Sequence, residues 1–189
     1  MSVKSIAFTA AILLSTSMTC FGQTSAAGGH LTVAYTFSML PRIASNQFAV
    51  WIEDSNGNYV RTLFVTNFVS RKAGWKTRPQ AVPTWTKAAT IAKLSQTEID
   101  SISGATPANG RRSIVWDLRD FVGKVVPPGS YRYLLEANIS WEKRVLWTGT
   151  IAIDNGRRSS RATPTYSTRD AATVGTIMSD VTAEYEPNS

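Results

Sequence analysis

QFAVWIEDSNGNYVRTLFV, Gln47 to Val65, reads as two strands and the turn between them. Phe48, Val50 and Ile52 alternate with Gln47, Ala49 and Glu53, the period of a strand with one apolar face. Asp54-Ser55-Asn56-Gly57-Asn58 then supplies turn residues, and Tyr59 to Val65 brings the chain back. Asn-Gly between two apolar alternations is the strongest short-range hairpin signal, because both residues accept the positive φ of a tight turn. An antiparallel pair is therefore expected here, and with it a sheet protein.

The same period extends outward from this hairpin. Upstream, Leu31, Val33, Tyr35, Phe37 and Met39 share one face, and the pattern stops before Pro41. Downstream, Ser113 to Leu118 forms another candidate strand. The clearest one follows: Tyr131, Tyr133, Leu135, Ala137, Ile139 and Trp141 face one way, and Arg132, Glu136, Asn138 and Ser140 the other. Val145, Trp147, Ile151 and Ile153 continue the alternation, and Asp180 to Tyr185 reads as a last strand. Residues 155–175 are rich in Ser, Thr and Arg and read as a long or partly disordered excursion. Between the hairpin and Ser113, residues Ser70 to Thr84 break the rhythm with Arg71, Lys72, Lys76, Arg78 and Trp75. This is a long basic connection, and Trp85 to Leu94 beyond it suits one short helix. About seven antiparallel strands divided by turn chemistry imply an all-β, immunoglobulin-like β-sandwich. The inter-sheet disulfide of antibody domains is excluded, since Cys20 is the only cysteine.

The N-terminus sets the compartment. Lys4, an apolar run from Ile6 to Leu14, and small residues from Ser15 to Gln23 follow the order of a secretory signal peptide. Residues 1–23 are thus expected to be removed, leaving 24–189 as a single domain, exported and periplasmic. The apolar run is too short to span a bilayer, and no transmembrane segment is expected in the mature chain. Lipid anchoring through Cys20 is a minor alternative, because the usual Leu three positions earlier is missing. The formal charge of +7 is spread over scattered basic residues, and no nucleic-acid motif accompanies it. His30 is the sole histidine, so neither a transition-metal site nor a Ser-His-Asp site is expected. Asp117 and Asp120 read as turn formers rather than a hydrolytic pair.

One stretch looks like chemistry: Asp100-Ser101-Ile102-Ser103-Gly104-Ala105-Thr106. Ser103-Gly104, Pro107 and Asn109-Gly110 are turn signals, so a plain polar connection remains one reading. The string also resembles the site at which bacterial flavin transferases join FMN to a threonine. That resemblance implies FMN held covalently through Thr106, with Asp100, Ser103, Gly104 and Ala105 forming the recognised segment. A threonine hydroxyl has little acidity of its own, so a separate enzyme must activate the exchange. Gly104 and Ala105 leave little bulk beside the hydroxyl. Trp75, Trp85, Lys76, Arg78 and Arg111 are candidate flavin contacts from their proximity in sequence; the alternative for both tryptophans is to cover the end of the core.

WDLRDFVGKVVPPGSYRYLLEA, Trp116 to Ala137, resembles the immunoglobulin-like module of flagellar hook-capping proteins, which speaks to architecture alone. Taken with the hairpin, the Trp-containing middle and DSISGAT, the chain resembles the predicted periplasmic family called domain of unknown function 2271. That likeness runs over Ala34 to Ala137 and less clearly to Pro187. Members of that family occur beside, or fused to, flavin transferases. The resemblance therefore implies an extracytoplasmic electron-transfer protein, with a flavin transferase as partner and room for a membrane-bound redox partner. The competing reading is a non-catalytic envelope binding or scaffolding module; it differs in predicting a colourless protein.

Overall fold

The computed structural model of the protein describes residues 28–40, 46–173 and 177–188. The signal peptide expected at 1–23, with Cys20, lies outside the described residues. Ten strands follow in order: β1 (His30–Phe37), β2 (Gln47–Asp54), β3 (Tyr59–Thr66), β4 (Ser103–Gly104), β5 (Gly110–Trp116), β6 (Gly129–Ser140), β7 (Lys143–Ile153), β8 (Arg158–Arg161), β9 (Thr163–Tyr166) and β10 (Met178–Glu186). Four short helices intervene between β3 and β4: α1 (Asn67–Ser70), α2 (Gly74–Thr77), α3 (Pro83–Ala88) and α4 (Gln96–Ile102).

The strands form two packed sheets, one ordered β5-β1-β10-β8 and the other β4-β3-β2-β6-β7-β9. The hairpin of Gln47 to Val65 pairs as the sequence requires, with register Ala49 to Val65 and Ile52 to Arg61. Its turn is held by the Asp54 carboxylate, which accepts the backbone N–H groups of Asn56 at 2.8 Å and Asn58 at 2.9 Å. Gly57 adopts a φ of 83°, the left-handed conformation that glycine reaches without a Cβ clash. The inward faces of both sheets supply one core, including Leu31, Val33, Phe37, Phe48, Val50, Tyr133, Leu135, Val181 and Ala183. Met39, expected on that face, lies beyond β1 and is exposed.

The outcome departs from the expected plan in three ways. Among the described residues there are ten strands rather than about seven, and β3 pairs with β4 in parallel. The connection read as a basic loop with one helix holds α1 to α4 and a 3₁₀ turn at Ile91–Lys93. The segment read as an excursion contains β8 and β9, each pairing with a sheet edge.

The helices explain the second departure physically. They pack on the outer face of the six-stranded sheet and enclose a second apolar cluster of Ala49, Trp51, Val65, Val69, Val82, Trp85 and Leu134. Both faces of β2 are therefore buried. Trp85 is fully buried at its centre and donates its ring N–H to Thr62 Oγ1 at 2.8 Å. Helix α3 begins against a buried carboxylate: Glu136 accepts N–H groups of Thr84 at 2.9 Å and Trp85 at 3.1 Å, and the Thr84 hydroxyl at 2.9 Å. Those first-turn donors have no partner inside a helix, so the carboxylate satisfies them. The run α1 to α4 is the crossover that a parallel β3–β4 pair demands.

Candidate functional site

The stretch from Asp100 to Thr106 is divided among three local structures. Asp100 to Ile102 form the last turn of α4, Ser103 and Gly104 are β4, and Ala105 opens the connection to β5. The start of α4 is fixed by reciprocal capping. The Glu98 N–H donates to Ser95 Oγ, and the Ser95 N–H donates to the Glu98 carboxylate at 2.7 Å. These hydrogen bonds from Ser95, its hydroxyl first, hold the Glu98 carboxyl below its ordinary value.

Each residue of the stretch has a distinct environment. Asp100 is exposed and pairs with Arg71 Nε at 2.8 Å, while Gln96 Nε2 donates to it at 3.0 Å. Ser103 turns inward: its hydroxyl donates to the Ile99 carbonyl and lies 2.6 Å from Ser70 Oγ, which also reaches the Thr66 carbonyl. Gly104 lies beside Thr66, and a Cβ there would overlap the Phe64 ring. Phe64 in turn stacks on the core residue Phe48, with centroids 5.0 Å apart. Ala105 is exposed, Thr106 is partly exposed, and the Thr106 hydroxyl makes no hydrogen bond to a described residue.

Residues 105–109 cross from the edge of one sheet to the edge of the other. The far end of this crossing is anchored. Arg112 donates to the Ala108 carbonyl at 2.6 Å and to the Asn109 carbonyl at 3.2 Å, and Asn109 Oδ1 accepts the Met39 N–H at 2.7 Å. The near end is anchored by β4 and by Ser103. Thr106 thus lies between two fixed points, with no hydrogen-bond partner for its hydroxyl among the described residues. Below Arg112, burial pushes the Tyr35 hydroxyl up to about 12, with the Arg112 charge acting the other way.

The other candidates are dispersed. Trp75 is half-buried against the second cluster, with Lys76 Nζ 4.9 Å from its ring centre. Trp85 is fully buried and presents no ring face to solvent. Arg78 donates to Asn138 Oδ1 at 3.3 Å and lies over Trp141, at the β6–β7 turn. Arg111 reaches the Asp180 carbonyl and Thr182 Oγ1, both at 3.2 Å. The basic side chains bonded to the stretch and its crossing are Arg71 and Arg112, which sequence proximity did not select. Arg71 was visible only as one of a basic run distant in sequence from Asp100. Arg112 is the strand neighbour of Arg111, and the parity of β5 decides which of the two turns to the crossing.

Two adjoining clefts flank α4. One, of about 50 Å³, is lined by Tyr59, Leu94, Glu98 and Phe121; the other, of about 260 Å³, by Leu63, Val115, Trp116 and Asp117. Arg61, Thr62, Ser101 and Ile102 border both. A third cleft of about 160 Å³ beside Glu136 and Arg144 belongs to the anchoring of α3. Asp117 and Asp120 accept backbone N–H groups two residues on, as turn formers do. His30 lies 3.8 Å from Glu186 at the end of β1.

Among the described residues no helix is long and apolar enough to cross a membrane. No curated protein and no solved structure matches the chain. A family model does, over residues 31–169, from the first strand to the end of the β9 region. The chain belongs to that family, described as Predicted periplasmic protein (DUF2271).

Proposed function

We propose that the protein is an extracytoplasmic electron-transfer protein of immunoglobulin-like sandwich form, carrying FMN joined to Thr106 by a flavin transferase. The observation that carries this reading is Thr106, partly exposed and with no hydrogen bond from its hydroxyl to a described residue, on a crossing tied down at both ends. It follows directly on the residues such an enzyme would read.

Attachment is a phosphoryl transfer. The Thr106 Oγ–P bond forms, the pyrophosphate P–O bond of a flavin dinucleotide breaks, and the second nucleotide leaves with the threonine proton passing to a base of the transferase. FMN so held supplies two-electron redox chemistry. The chain supplies presentation. Gly104 and Ala105 keep side-chain bulk from the approach, Arg71 fixes the Asp100 carboxylate at the surface, and Arg112 braces the crossing while placing a positive charge near the new phosphodiester.

Co-expression of the exported chain with a flavin transferase is expected to add the mass of FMN less water and to give a yellow protein. Thr106→Ala is expected to abolish the gain, and Thr106→Ser to retain it. Neither change should shift stability by more than about 0.5 kcal/mol, since the side chain is partly exposed. An unmodified parent in cells where a known acceptor is labelled sinks the reading and leaves the envelope binding module in its place.

A further inference from the structure

A ring tethered at Thr106 needs a resting place, and the two clefts beside α4 adjoin in a groove on the flank of the sandwich, with Arg61, Thr62, Ser101 and Ile102 lining both. Strand β4 covers only Val65 and Thr66 of β3, and further back along that edge the Val60 carbonyl accepts the Phe121 N–H at 3.0 Å. Strand β5 is likewise an edge, paired only with β1. Helix α4 spans the space between, and its residues Ser101 and Ile102 belong to the stretch that ends at Thr106.

The rim is unusually apolar for a surface. Phe121, in one compartment, is 57% exposed and Val115, in the other, 61%; Val122, next to Phe121 in the chain, is 69% exposed. The Phe121 and Tyr59 rings lie 6.2 Å apart at 41°, leaving an open aromatic corner. Clustered exposed apolar groups mark a surface that something else covers. One cation borders both compartments: Arg61, which donates to the Asp120 carbonyl at 2.9 Å and keeps further donors on its fork. The carboxylates at the margin are already engaged, Glu98 with Ser95 and Asp117 with Arg119.

We infer that this groove seats the isoalloxazine ring of the FMN carried by Thr106, flanked by Tyr59 and Phe121, with Arg61 as the charge beside it. The inference rests on the Thr106 reading. Distance permits it. Ile102 borders both compartments and precedes Thr106 by four residues, at most about 14 Å of chain. The eight single bonds from the threonine oxygen to the ring nitrogen reach roughly 10 Å, and the three-ring system extends further. At about 50 and 260 Å³, neither compartment alone reaches the roughly 300 Å³ at which ligand pockets start, so the ring would span both and keep one edge in solvent. An exposed edge suits electron exchange. Arg61 would favour the negatively charged reduced flavin over the neutral oxidised one.

The test uses flavinylated full chain, with the mass gain checked first. In the parent, flavin fluorescence is expected to be quenched, anisotropic and accompanied by induced visible circular dichroism. Tyr59→Phe should restore much of the fluorescence, because it removes the electron-rich phenol but keeps the packing. Phe121→Ala, at an exposed position, should lower the anisotropy. Arg61→Gln should weaken reduction about tenfold, a midpoint about 30 mV more negative for a two-electron couple. A full mass gain with spectra like free FMN, unmoved by all three changes, overturns the seat and leaves the attachment standing. No mass gain removes both.

Discussion

At the scale of single residues, Gly104 shows how a requirement of the fold and one of the site coincide. Strand β4 runs directly over Phe64, so the backbone must approach the ring with no Cβ between them. Gly104→Ala should therefore destabilise the protein by about 1–3 kcal/mol, through displacement of Phe64 and its stack on Phe48. Urea unfolding would measure it, and an unchanged midpoint would mean that β4 can lift away at little cost. From sequence, Gly104 reads only as room left beside a hydroxyl. Its packing partner lies on another strand, which no local pattern discloses. Thr106 stands out as the proposed acceptor only by the residues that precede it in sequence. That Ser103 is turned inward depends on Ser70, the last residue of α1, a helix of four residues with no periodic signal of its own.

At the scale of elements, α4 depends on its ends. It is short, exposes most of its residues and buries none fully, so little tertiary packing supports it. Its reciprocal cap is a large share of its definition. Ser95→Ala should cost about 1 kcal/mol locally. The expected reading is faster amide exchange at Ile99 to Ile102 with the global unfolding midpoint almost unchanged; unchanged exchange would place the control elsewhere. The hairpin β2–β3 and strand β6 were readable because alternation and Asn-Gly are local signals. The helices were not, since runs of four to seven residues carry too few turns to show a period. The polar face of β6 is not legible for the same reason: alternation places Glu136 and Asn138 on one face, and only the helices and the turn show that this face is buried beneath α3 and against the β6–β7 turn.

For the whole molecule, the helical layer is joined to the sheet at a charged point, and this gives stability a pH signature. Burial pushes the Glu136 carboxyl above its ordinary value, against the bonds from Trp85 and Thr84 and the charge of Arg144. A folded value above the unfolded one means that the native state holds the proton more tightly. The contribution is complete below the unfolded carboxylate range, near pH 4, and is lost as pH rises through the raised value. Thermal melting should thus show a component falling with pH over that window. Glu136→Gln should remove this component while costing about 1–3 kcal/mol at acid pH, because one acceptor of three donors is lost. A parallel pH profile for parent and variant would reject the assignment. Both layers are needed for the acceptor as well, since β4 reaches its place only after the chain has crossed α1 to α4 and returned alongside β3. Transplanting the seven residues Asp100 to Thr106 into an unrelated linker would carry the address for modification but none of the architecture. A cargo attached there would swing freely, whereas here its excursions are confined to one flank of the protein.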